Sequence, residues 1–258
     1  MKSKKLFISF LVFSSFFTGC GSYEEYIPPA QELNPISNSK IHSANNKEQE
    51  FIVNTSVSGS EYYPAIAIDK KGNFVIAWKS NEGIFAQRYD EKGNQAGSEF
   101  KVSNESLING SSQPSIAINK EKGDFVICWN AYEQSKANYR VYFQRYDEKG
   151  QALNNLVKVN NEVVDLSKTK TDLVYGDPLN PIQKHKYFHT VTDVSMNNKS
   201  QFVVAWSSFN RDGSVNHIFF QQYDSKGNSK GNESKLGNPD KINHHDPKVA
   251  IDENENFV

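Results

Sequence analysis

A segment that recurs four times constrains this chain more than any other feature. Pro64 to Trp78 reads P-A-I-A-I-D-K-K-G-N-F-V-I-A-W, and Pro114 to Trp129 reads P-S-I-A-I-N-K-E-K-G-D-F-V-I-C-W. Asp193 to Trp206 reads D-V-S-M-N-N-K-S-Q-F-V-V-A-W, and P-K-V-A-I-D-E-N-E-N-F-V begins at Pro247. A second block follows each tryptophan: I-F-A-Q-R-Y-D-E-K-G-N from Ile84, V-Y-F-Q-R-Y-D-E-K-G-Q from Val141 and I-F-F-Q-Q-Y-D-S-K-G-N from Ile218. A fixed period near 50 residues is the signature of a repeat architecture in which each unit buries its apolar face against the next.

Each unit reads as four strands. Ile66-Ala67-Ile68 alternates and forms the first. Phe74 to Trp78 is a continuous apolar run, as in a strand covered on both faces. Ile84 to Tyr89 is the third strand, and Phe100-Lys101-Val102 follows a polar turn as the fourth. Four strands in 40–50 residues is the size of a propeller blade. The expected architecture is all-β: a β-propeller-like array over residues 50–258, with units near 64–103, 114–159, 192–236 and 247–258, and an insert near 160–191. Glu50-Phe51-Ile52-Val53-Asn54 matches Glu99-Phe100-Lys101-Val102-Ser103, so the array is expected to open with a lone fourth strand of the kind that closes a ring. The fourth unit stops at Val258 after two strands, so the expectation is an array incomplete at its C-terminus, or completed by a partner, with open edges that self-associate.

Composition agrees with short strands and polar turns: aromatic residues make up 12% and the hydrophobic fraction is 37%. Ahead of the repeats, Met1 to Lys5 is basic, Leu6 to Phe17 is an apolar run of twelve residues, and Thr18-Gly19-Cys20 follows. This is the layout of an export signal, and the run falls short of the roughly 20 residues of a membrane-spanning helix. Residues 20–49, with Pro28-Pro29, Pro35 and many polar residues, read as a flexible tether. Removing residues 1–19 deletes Lys2, Lys4 and Lys5 from 29 basic residues, leaving 26 against 30 acidic, a net charge of −4. That balance offers no electrostatic case for nucleic acid.

Phe17-Thr18-Gly19-Cys20 resembles the lipobox of bacterial lipoproteins. The resemblance implies a signal peptide over 1–19, acylation of Cys20 with palmitate-class chains, and a lipid membrane anchor in the cell envelope. Gly21 at the next position implies outer-membrane or cell-surface sorting. The repeats resemble a β-propeller-like unit of about 50 residues found in bacterial secreted and surface proteins, with the pieces P-x-V-A-x-D-x-x-G-x-F-V-V-A-W and Q-R-Y-D-x-x-G. That resemblance implies a fold and an extracytoplasmic setting, and no single activity.

No catalytic constellation stands out. Cys128, where the other units carry Ala77 and Ala205, reads as a small buried residue without a disulfide partner. The Asp-x-x-Gly turns at Asp69, Asp90, Asp147 and Asp224 place Lys92, Lys149 and Lys226 where calcium ligands would stand, so these aspartates are expected to accept turn amides instead. His185 and His189, and the His244-His245-Asp246 cluster, lack the context of a zinc site, and neither a metal nor another cofactor is expected. Trp78, Trp129 and Trp206 read as core residues. Ligand contacts are expected on the variable two-three and inter-blade loops, with Tyr132, Arg140, Tyr175, His185, Tyr187, Phe209 and Arg211 as the candidate face. The leading reading is a surface-anchored binding or adhesion module for a carbohydrate or protein ligand. The alternative is an envelope carbohydrate-active enzyme, a glycosidase or lyase, with acids such as Asp165, Asp172 or Asp177.

Overall fold

A computed structural model describes residues 51–55, 61–103, 113–133, 138–160, 191–209, 216–236 and 246–258. Val53–Val258 forms one compact unit. It is all-β, a β-propeller-like array of three four-stranded antiparallel sheets. The first holds β1 (Tyr62–Ile68), β2 (Phe74–Ser80), β3 (Gly83–Tyr89) and β4 (Phe100–Lys101). The second holds β5 (Ser115–Ile118), β6 (Phe125–Glu133), β7 (Asn138–Tyr146) and β8 (Val157–Lys158). The third holds β9 (Thr192–Met196), β10 (Phe202–Phe209), β11 (Asn216–Tyr223) and β12 (Ser229–Leu236). Each sheet is a simple meander, and the first strands β1, β5 and β9 neighbour one another from blade to blade.

The core lies between blades. Successive residues of a strand point to opposite faces, and β6 shows the consequence. Phe125, Ile127 and Trp129 pack with Val75, Ala77, Ile84 and Ala86 of the first sheet. Val126 and Cys128 pack with Val194, Phe202, Val204 and Trp206 of the third. A middle strand with a neighbour on each side must be apolar at every position, hence the unbroken runs.

Every residue of the Q-R-Y-D-x-x-G motif has a structural task. The glutamine clamps the turn after its own strand. Gln87 Nε2 donates to the Arg88 and Gly97 carbonyls at 2.8 and 3.0 Å, and Gln144 Nε2 to the Arg145 and Asn154 carbonyls at 3.2 and 2.6 Å. Gln221 Nε2 repeats the pattern with Gln222 and Lys230. The arginine crosses to the next blade: Arg88 donates to the Glu148 carbonyl and to its own blade's Ala96 carbonyl, lying flat against Gly150. Arg145 lies the same way on Gly227. The tyrosine stacks on the phenylalanine that opens the second strand, with ring centroids 4.8, 5.0 and 4.9 Å apart for Phe74–Tyr89, Phe125–Tyr146 and Phe202–Tyr223. The aspartate organises the turn: Asp90 Oδ1 accepts from the Lys92 and Asn94 amides at 2.9 and 2.8 Å, and Asp147 and Asp224 do likewise.

The one-two turns knit neighbouring blades. Asp69 caps its own turn through the Lys71 and Asn73 amides. The Lys70 amide donates to the Lys120 carbonyl at 2.8 Å, and Asn119 Nδ2 donates to Ser200 Oγ at 2.7 Å. First strands are linked as well. Ser115 Oγ donates to Asp193 Oδ1 at 3.1 Å, and the Val249 amide donates to Asp193 Oδ2 at 2.9 Å.

Three expectations differ from the structure. Residues 51–54 are in no strand ladder. Within the compact unit, Val53 and Thr55 instead lie along the first sheet, the Val53 carbonyl accepting from Tyr89 Oη at 3.3 Å and Thr55 bonding to the Glu99 carboxylate. A fourth strand gains ladder bonds only from a third strand beside it. The fourth unit, expected to hold two strands, shows a single bridge, Ile251 with Phe257, around a turn capped by Asp252. Much of what reads as two-three loop in units two and three is ladder: β6 and β7 pair out to Glu133 with Asn138, and β10 and β11 to Phe209 with Asn216.

Candidate functional site

The motif residues are occupied in building blades, so a ligand must be met by residues that do not repeat. These gather at the end of the sheets where first strands begin and second strands finish, an end defined by the pairs Tyr62 with Lys79 and Thr192 with Trp206. On the first sheet this end carries Glu61, Tyr62, Tyr63, Trp78 and Lys79.

Tyr62 and Tyr63 are 36% and 49% exposed, with ring centroids 6.2 Å apart and a tilt of 40°. Lys79 Nζ stands 6.0 Å from the Tyr62 ring centroid, a distance at which a cation meets the ring quadrupole. Tyr63 holds φ at +53° immediately before Pro64, with a bulge between Tyr62 and Ala65. The left-handed region is costly for a bulky residue, and proline drives its predecessor toward extended backbone, so this conformation stores strain. Asp246, before Pro247 in the fourth unit, repeats it with φ +51°.

Beside the tyrosines, Glu61 is half-buried and one carboxyl oxygen, Oε2, is enclosed without a hydrogen-bond partner among the described residues. Desolvation pushes the carboxyl above the usual range, the Glu99 carboxylate adds to this, a hydrogen bond from Trp78 opposes it, and Glu82 contributes least. Burial alone lowers the Lys79 ammonium. An acid shifted upward and a base shifted downward thus stand at the same end of the same sheet, a pattern that marks functional sites and also arises in structural clusters.

Of the residues the sequence put forward, three are described. Tyr132 lies in β6 opposite Tyr139, and Phe209 ends β10 opposite Asn216. Arg140 lies in β7 opposite Ala131 and is only 4% exposed. Tyr175, His185, Tyr187 and Arg211 lie outside the described residues, as do Cys20, His189, His244, His245, Asp165, Asp172 and Asp177. Arg140 and His217 occupy the same repeat position, one residue before Val141 and Ile218, and both are buried, as are Asn130 and Ser207, each one residue past the tryptophan of its second strand. Of this buried polar layer the sequence put forward Arg140 alone, and it put forward neither His217, Asn130 and Ser207 nor the Glu61–Tyr63 segment. The available signal was the contrast between Glu61-Tyr62-Tyr63 before Pro64 and Ser112-Gln113 before Pro114.

Cys128 is fully buried and its thiol is pushed up to about 12, first by desolvation, which keeps it protonated and unreactive. Trp78, Trp129 and Trp206 are 4%, 0% and 1% exposed, placing them in the core and away from any stacking surface. Among the described residues, no group of three or more His, Cys, Asp or Glu side chains is placed to hold a metal ion.

No family model matches the chain, and no curated protein matches it. Among solved structures it is similar to an endo-arabinase from Bacteroides thetaiotaomicron, at 15% identity over 73% of this chain and 66% of that one, with a TM-score of 0.43. It is also similar to an endo-1,4-beta-xylanase from the same organism, at 12% identity over 72% of this chain and 63% of that one, with a TM-score of 0.37. The chain spans just under two thirds of the length of each.

Proposed function

We propose that this chain is a lipid-anchored binding module of the bacterial cell envelope that engages a saccharide at the end of its first sheet, around Tyr62 and Tyr63. The observation that carries the reading is an exposed tyrosine pair held at a strained backbone position on a scaffold whose repeated residues are already engaged. Aromatic rings offer a sugar a flat apolar face at small entropic cost, and Lys79, Glu61 and Asp246 add polar groups at the same end of the blades. The acidic balance of the chain directs the reading away from polyanions.

Affinity electrophoresis and calorimetry against a panel of neutral polysaccharides test it. Tyr63→Ala is expected to weaken binding at least about tenfold, roughly the worth of one aromatic stacking contact. Tyr63→Phe is expected to retain binding. Tyr63→Gly is expected to lose it while raising thermal stability, because glycine adopts positive φ without strain. Equal affinity in Tyr63→Ala and the unaltered protein would overturn the assignment.

A second reading, an envelope glycosidase or lyase, is favoured by one observation: Glu61 sets a half-buried carboxyl with an enclosed oxygen at the same end of the sheet as Tyr62 and Lys79, and desolvation shifts it upward, the direction in which a general acid is tuned. The two readings separate cleanly. Release of reducing ends or unsaturated sugars that vanishes in Glu61→Gln, with binding preserved, supports the enzyme. Binding without any product supports the module.

A further inference from the structure

The residue after the core tryptophan differs in charge between blades: Lys79 in the first, Asn130 in the second and Ser207 in the third. Asn130 and Ser207 are completely buried. A neutral side chain therefore satisfies the fold at this place in two blades, and the ammonium of the first answers no structural need that the three share.

The register fixes which way Lys79 points. Directly opposed residues of antiparallel strands share a face. Lys79 lies opposite Tyr62 on one side and Ile84 on the other, and Ile84 belongs to the core shared with the second blade. Tyr62 and Lys79 thus stand on the side of the first sheet turned toward the second blade. The nearby carboxylates stand on the reverse side. Trp78, opposite Phe85, hydrogen-bonds there to Glu61. Glu99 precedes Phe100, which packs on the shared core, so Glu99 too faces the reverse.

Lys79 is left without a counter-charge among the described residues. Lys70, Lys230 and Lys248 each meet a carboxylate. Lys79 is half-buried, its Nζ meets the Tyr62 ring at 6.0 Å from the centroid, and burial lowers its ammonium with no carboxylate to offset the effect. Taking a charge partly out of water is costly unless it is paired. The ring quadrupole offsets part of that cost and leaves the N–H donors open to an acceptor.

We propose that Lys79 makes the Tyr62–Tyr63 site selective for a saccharide that carries a carboxylate, a uronic acid, with the sugar ring on the tyrosines and its carboxylate paired with the Lys79 ammonium. The proposal rests on the saccharide reading above and adds the chemical class of the sugar. A bound carboxylate supplies the missing counter-charge in a partly desolvated place, where a charge-assisted hydrogen bond is stronger than in water. The acidic balance of the chain repels densely charged polymers, so the favoured ligand carries isolated carboxylates on an otherwise neutral backbone.

Glucuronoxylan and gum arabic, each native and carboxyl-reduced to the neutral polymer, are the probes, read by affinity electrophoresis and calorimetry on the full chain in mild detergent. At least one native polymer is expected to bind about tenfold tighter or more than its reduced form, with the difference shrinking as salt rises. Lys79→Gln should abolish the difference and Lys79→Arg should keep it. Lys79→Gln should melt no lower than the unaltered protein, because neutral residues fill this place in the other blades. A lower melt would make the ammonium structural and overturn the proposal. Equal binding of native and reduced polymers, or a preference that survives Lys79→Gln, overturns it as well. If Tyr63→Ala still weakens both forms in that case, the saccharide reading stands without the carboxylate. Failure of every native polymer to bind, with neutral polysaccharides bound, overturns the proposal alone, and failure of the neutral panel too overturns both.

Discussion

Among single residues, the glycine of the Q-R-Y-D-x-x-G turn meets two demands at once. Gly150 has φ +80°, and a Cβ there would stand 2.8 Å from Arg88 Nε, a side chain of the preceding blade. Gly150→Ala should therefore cost about 1–3 kcal/mol by strain at positive φ alone. Adding Arg88→Ala should relieve the clash but forfeit the bonds to Glu148 and Ala96, so a double-mutant cycle in urea should show clear non-additivity. Additive effects would mean that the arginine does not lie on the glycine. Glu61 makes a different prediction. Its folded-state carboxyl is raised, so the native state holds its proton more tightly than the unfolded chain. The associated stability is present below the usual carboxylate range and is lost as pH rises through the folded value. Melting temperature should fall across that interval, and Glu61→Gln should flatten the fall. A steeper fall in the variant would count against the desolvated carboxyl.

The second strands are the elements on which the array depends. Trp129 has no exposed surface and packs into the core shared by the first two blades, its ring stacked near Tyr142 at 6.0 Å. Trp129→Ala should cost roughly 3–5 kcal/mol, as large-to-small changes in cores do. A melt within a degree of the unaltered protein would place that ring outside the core. The first and fourth strands are more conditional. β4 and β8 have two residues each, whereas β12 has eight, Ser229–Leu236, and is largely exposed. Motif residues specify β2 and β3 and their turns.

For the molecule as a whole, the anchor proposed at Cys20 is a claim about where the array sits in the cell. Cys20→Ala should shift the protein from the membrane fraction to the soluble fraction and remove the mass of the acyl chains. Unchanged fractionation with no change in mass would count against the anchor. The repeat period, the four strands of each of the first three units, the core tryptophans, the inert Cys128 and the role of the Asp-x-x-Gly turns were all legible in the residues, because each follows from local chemistry: alternation, turn propensity and an amide-accepting carboxylate two to four residues from its donors. Only tertiary structure decided the rest. It buried Arg140, which from its loop-like neighbours reads as exposed, because the β6–β7 ladder continues past the tryptophan and carries it inside. It left Ile66 and Ile68 open while closing over Ile116 and Ile118, although the two pairs share the same local sequence. A side chain's surroundings are set by which blade lies opposite, and that neighbour is some fifty residues away in the chain.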